Sequence, residues 1–160
     1  MHYLMLVTTA LPDGATSENA RWTVHDALLH DGSFCGDGGR FGSPLCDWFV
    51  IGGRWSGLLR KTLLGDAYKA ASSQLVDQGI DALDQLWQRF GGTGKHPHNR
   101  DGYDYYGCDD DAMLVNQALY DHFLAEDPGK YCETFADLDD DPVDASFIGR
   151  KWLVVVDYHN

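Results

Sequence analysis

The chain opens and closes on apolar runs. Tyr3 to Thr9 is continuous and β-favouring, which predicts a buried strand. Lys151 to Tyr158 contains Leu153-Val154-Val155-Val156, which predicts an interior strand covered on both faces, with Trp152 in the core and the first strand beside it. Between them, Thr16 or Ser17 opens a helix to about Leu29, whose inner stripe is Ala20, Val24, Ala27 and Leu28. Cys46 to Ile51 reads as a second strand, bent or bulged by Gly52-Gly53. Leu58 to Leu64 fits strand and helix equally. Asp66 to Phe90 is helical in period, through Val76, Ile80, Leu83, Trp87 and Phe90. Gly79 marks a break, since glycine costs about 1 kcal/mol relative to alanine in a helix. Asp109-Asp110-Asp111 is expected to cap a third helix running to about Ala125, with Ala112, Val115, Leu119 and Phe123 facing in. Asp137 to Asp144 is an acidic turn. The pattern predicts one α+β domain over residues 1–160, a small sheet of N-terminal, central and C-terminal strands packed by about three helices.

Composition narrows the class. A chain of 160 residues has room for one core, and 44% hydrophobic residues exclude a wholly disordered chain. No apolar run approaches the roughly 18 residues of a membrane-spanning helix. Met1 to Val7 lacks the basic start and cleavage site of a signal peptide, so a cytoplasmic location is expected. In that compartment the four cysteines, Cys35, Cys46, Cys108 and Cys132, are expected to be free thiols, although Cys35 and Cys46 flank one Gly-rich stretch and are able to approach. The short ligand spacing of a zinc site is absent. Asp137, Asp139 and Asp141 alternate like the start of a calcium loop, but Pro142 stands where that loop needs glycine and Ile148 where it needs glutamate. No metal and no cofactor are expected.

Charge changes the picture more. The formal net charge is −13, and residues 101–160 hold 15 acids against 3 bases. Such a segment repels nucleic-acid backbones and anionic lipid, so neither is an expected partner. It suits a protein partner with a basic surface. Asp101, Tyr103, Asp104, Tyr105, Tyr106, Asp109, Asp110 and Asp111 form the candidate docking segment, because tyrosine among acids supplies contact area at low entropic cost.

A second candidate lies in the Gly-rich region 34–57. Arg40 and Arg54 carry fork-shaped donors suited to phosphate or carboxylate, Trp48 and Trp55 offer stacking surfaces, and Gly52 and Gly53 permit close backbone approach. The set fits an anionic, ring-bearing ligand of nucleotide type, although neither a P-loop nor a dinucleotide fingerprint is present. The competing structural reading makes the glycines bulges, the tryptophans core, and Arg54 a partner of Asp47 or a C-terminal aspartate. For catalysis the candidates are His25, on the helix after the first strand, and Cys35, whose thiolate Arg40 would favour. Ser56 lacks the nucleophile-elbow pattern.

The segment Asp47-Trp48-Phe49-Val50-Ile51-Gly52-Gly53-Arg54-Trp55-Ser56-Gly57, with the ending Phe147-Ile148-Gly149-Arg150-Lys151-Trp152-Leu153-Val154-Val155-Val156-Asp157-Tyr158-His159, resembles a set of uncharacterised small bacterial and phage-borne proteins. The resemblance implies a phage or mobile-element context and carries no activity with it.

Two functions are therefore expected in order. The first is an acidic accessory protein that binds a macromolecular partner, as an inhibitor, through its C-terminal half. The alternative is a small enzyme or binder of a nucleotide-like anion using the Gly/Arg/Trp-rich segment.

Overall fold

The computed structural model describes residues 1–30, 34, 46–92, 94–97 and 107–160. Its centre is the predicted pair of apolar strands. β1 (His2–Ala10) and β5 (Lys151–His159) run antiparallel in register over their whole length, from His2 opposite His159 to Ala10 opposite Lys151. Both are apolar on two faces, so each needs a strand on either side and a layer above and below. β4 (Thr134–Asp137) lies parallel to β1 on its outer edge. The other edge of β5 is covered by two short strands placed end to end. β2 (Trp48–Ile51) pairs with Val156–His159, and β3 (Ala112–Leu114) pairs with Trp152–Val154.

Helices cover both faces. On one face Met5, Val7, Val154 and Val156 pack with Ala20, Val24 and Leu28 of α1 (Ser17–His30). On the other, Leu4, Leu6, Leu153 and Val155 pack with Leu59 of α2 (Leu58–Leu75), with Leu119 of α4 (Gln117–Leu119), and with Phe123 and Leu124 just beyond it. The last helix starts as Gln117–Leu119 and continues as a π-helical turn, Tyr120–Leu124. Full burial of each such side chain contributes about 1.5–3 kcal/mol, which makes the two sheet faces the main source of stability. α3 (Ile80–Arg89) adds a satellite cluster of Tyr68, Leu86 and Trp87. Among the described residues no helix is long and apolar enough to cross a membrane.

The architecture is α+β, as the hydrophobic pattern implies, with several elements redrawn. Leu58–Leu64 is helix, and the expected break falls at Gly79 (φ 90°). The aspartate run caps no helix. Asp109–Asp111 is a 3-10 turn leading into β3, and Asn116 caps the next helix, its side-chain oxygen accepting from the Leu119 amide at 2.9 Å. β2 ends at Ile51, so the edge of β5 before Val155 has no partner until β3 occupies it. The ladder overrides local helix preference there. Trp152 is half-buried at the border of the first core rather than inside it.

Candidate functional site

The sheet's two polar ends follow from strand periodicity. Residues two apart on a strand share a face, so Lys151, Leu153, Val155, Asp157 and His159 line one face of β5. The middle of that row is core. Its ends are charged.

At one end, β2 leaves the sheet through Gly52-Gly53. The Gly52 amide still donates to the Val155 carbonyl (2.7 Å), after which both glycines take positive φ, 76° and 53°, and the chain enters a 3-10 turn, Gly53–Trp55. Two buried carboxylates hold this turn. Asp111 accepts from the Ser56 hydroxyl (3.0 Å) and from the amides of Gly57 (2.9 Å) and Cys108 (2.7 Å). Asp157 accepts from the Arg54 amide (2.8 Å). A methyl on Gly52 would overlap the Asp111 carboxylate, and one on Gly53 would lie 2.5 Å from the Asp157 oxygen. Glycine is required at both positions by conformation and by contact. Gly53→Ala is expected to destabilise the fold by at least about 1–2 kcal/mol from the left-handed backbone alone, with a further cost from displacing Asp157. An unchanged chemical-denaturation midpoint would contradict this.

Asp157 also holds His2, whose Nδ1 lies 2.9 Å from one carboxylate oxygen. Because a carboxylate only accepts, His2 Nδ1 carries the proton and Nε2 remains for other work. His2, His159 and Trp48 are cross-strand neighbours. The Trp48 indole stacks on the His159 ring with centroids 5.3 Å apart and planes 3° apart, and His2 meets both rings edge-on. His159 Nδ1 is buried without a hydrogen bond, 3.4 Å from an Asp47 carboxylate oxygen. Trp48 is exposed. His2 and half-buried Trp55 line an adjoining cleft of about 330 Å3 with Lys130, Tyr131 and Glu133. The Arg54 side chain is exposed and has no ion pair among the described residues, so its expected pairing with Asp47 or a C-terminal aspartate is corrected. Only its backbone amide meets Asp157.

At the other end Lys151 is buried among carboxylates. Its ammonium donates to both Asp137 oxygens (2.7 and 2.9 Å), lies 3.0 Å from Asp141 and 3.3 Å from Asp139, and sits over the Phe147 ring. Asp137 further accepts from the Thr8 hydroxyl (2.6 Å). Burial pushes the Asp137 carboxyl up, but the bonds from Lys151 and Thr8 outweigh it and hold it below the ordinary value. Burial likewise pulls the Lys151 ammonium down, and the three aspartates outweigh that, raising it. The alternating Asp137, Asp139 and Asp141 thus serve an internal lysine.

Of the Gly/Arg/Trp set, the structure ties the Arg54 amide through Asp157 to His2, whose ring meets Trp48 and which shares a cleft with Trp55. Of the docking segment only Asp109, Asp110 and Asp111 are described. Asp110 and Asp111 are 1% and 0% exposed because Arg60, Ser56, Gly57 and Cys108 take up their charges, so neither forms part of an outer face. Asp109 is exposed and ion-paired to Arg21 at 2.8 Å. Asp101, Tyr103, Asp104, Tyr105 and Tyr106 lie outside the described residues, as do Cys35 and Arg40. His25 is a packing residue, not an exposed base. It is buried against Phe49, and burial lowers its pKa despite the adjacent Asp26. Cys46 is disulfide-bonded, correcting the expectation of four free thiols, whereas Cys108 and Cys132 are free.

His2, Asp157 and His159 escaped the sequence reading. The available signal was the spacing of Asp157 and His159, which puts an acid and an imidazole on one face of an otherwise apolar strand. Among the described residues no group of three His, Cys, Asp or Glu side chains is placed to hold a metal ion. Compared with known protein families, curated proteins and solved structures, the chain matches none.

Proposed function

We propose that the protein binds a small anionic ligand bearing a planar ring, of nucleotide type, at the corner formed by His2, Trp48, Arg54 and His159. The observation that carries this reading is the Asp157 carboxylate, buried in a sheet yet shared between the His2 ring and the Arg54 amide. Burying a carboxylate is costly unless it is well partnered, and here its partners set the position of an imidazole and of the base of an uncommitted arginine. Trp48, stacked on His159 at the exposed end, supplies the flat surface a ring requires. Arg54 supplies the fork-shaped donors for the anion. His2, with Nε2 left over, is the group able to take or give a proton to a bound ligand.

Docking on a basic protein surface remains supported by the net charge of −13. It loses Asp110 and Asp111, and Asp139 and Asp141 are turned to Lys151. The corner is the better-assembled candidate.

Titration with purine and pyrimidine mononucleotides, followed by calorimetry, tests the reading. Trp48→Ala and Arg54→Ala are each expected to weaken binding about tenfold or more, since stacking on one base is worth about 1–3 kcal/mol. Arg54→Ala should not move the thermal midpoint appreciably, as its side chain is exposed. Failure of every mononucleotide to bind at millimolar concentration, or full binding by Trp48→Ala, would remove the proposal.

A further inference from the structure

A larger cleft, with a volume of about 620 Å3, lies elsewhere. α2 forms most of its wall, Leu83 of α3 and His96 add to it, and His122 closes another side. Three unusual features meet there. The Tyr68 side chain, 3% exposed, lines the cleft, and its hydroxyl is buried with no hydrogen-bond partner. An unpaired buried hydroxyl destabilises a fold by about 1–3 kcal/mol, so its retention points to a partner from outside the chain. α2 is interrupted within this wall by Gly65, whose backbone (φ 76°, ψ −165°) breaks the helical hydrogen-bond ladder. His122 stands on the π-helical turn Tyr120–Leu124, a distortion that recurs at functional sites.

The lining also runs against the charge of the molecule. Lys61, Lys69 and two histidines line it with one carboxylate, Asp66, while the Thr62, Ser72 and Ser73 hydroxyls are spent on the Leu58 and Lys69 carbonyls of their own helix. Leu58 and Leu83 supply apolar wall. The Lys69 ammonium has no ion pair among the described residues.

We propose that this cleft is a second binding site, taking a small organic anion: a phosphate or carboxylate head that accepts from the Tyr68 hydroxyl and Lys69, on an apolar body lying against Leu58 and Leu83. It is separate from the sheet-end corner and does not depend on it.

The probes are phenyl phosphate, phenylacetate and inorganic phosphate, titrated into the full chain by calorimetry. At least one aryl anion is expected to bind in the submillimolar range and more tightly than inorganic phosphate, and the preferred one identifies the head group. Tyr68→Phe should weaken that binding about tenfold or more, the value of one hydrogen bond to a charged group. Its thermal midpoint should stay level or rise, because an unpaired buried hydroxyl has gone. Lys69→Gln should weaken binding by a similar factor, and Trp48→Ala should leave it unchanged. The proposal is overturned if neither aryl anion binds the wild-type chain with a Kd below about 1 mM, or if Tyr68→Phe binds as well as wild type.

Discussion

Lys151→Met is expected to destabilise the protein by roughly 3–5 kcal/mol at neutral pH, the usual result of removing one partner of a buried ion pair. Methionine fits the volume. The cost comes from what remains: Asp137, buried, without its counter-ion, and with Asp139 and Asp141 brought close by the same turn. The pH dependence separates this from a packing defect. Asp137 is held below its ordinary 3.8, so its contribution is complete above that value and is lost as pH falls through the folded pKa. Lys151 is raised above 10.5, so its contribution is complete below that value and is lost as pH rises through the folded pKa. Wild type therefore keeps both between those limits. In Lys151→Met only the bonds from Thr8 and the Asp139 and Asp141 amides still oppose burial at Asp137, so its pKa rises and protonation relieves the strain. The stability gap between variant and wild type should narrow as pH is lowered from 7 towards 4, and Lys151→Met/Asp137→Asn should recover part of the loss at pH 7. A gap constant across that range would show that the ion pair is not its source.

Asp111→Ala should be as damaging, about 3–5 kcal/mol, because it strands the Gly57 and Cys108 amides and the Ser56 hydroxyl together. At about 2–4 °C per kcal/mol for a domain near this size, the thermal midpoint falls by roughly 10 °C. Asparagine is the sharper test. One carboxylate oxygen serves Gly57 and the other serves Cys108. An amide offers one acceptor, so either flip sets its NH2 against a backbone N–H. Asp111→Asn is thus expected to cost about 1–3 kcal/mol despite its near-identical shape. Wild-type stability in Asp111→Asn would mean that this carboxylate does not organise the turn.

These two aspartates show why reading a charge from sequence misleads at particular places. Asp109-Asp110-Asp111 and Asp137-Leu138-Asp139-Asp140-Asp141 look like solvated acidic stretches and helix caps. In the fold, Asp111 and Asp137 are buried acceptors with donors 54 and 14 residues away in Gly57 and Lys151. Local composition carries no record of such partners. The Gly52-Gly53 pair is the opposite case. Its bend is legible, but the reason for two glycines, a carboxylate on each, requires β3 and β5 to be in place.

By itself the sequence determined the central pair of neighbouring strands, though not their antiparallel direction, the first helix, the break at Gly79 and the α+β class. Continuous apolar runs demand cover on both faces, and a helical period demands one buried stripe, wherever the rest of the chain goes. Tertiary structure alone decided that β3 replaces the start of a helix, that a short β4 adds a parallel edge, and that His2, Trp48, Asp157 and His159 meet at one end of the sheet. Those outcomes depend on which strand edges are left unpaired and which buried charges need donors. Both are properties of the assembled sheet rather than of any segment in it.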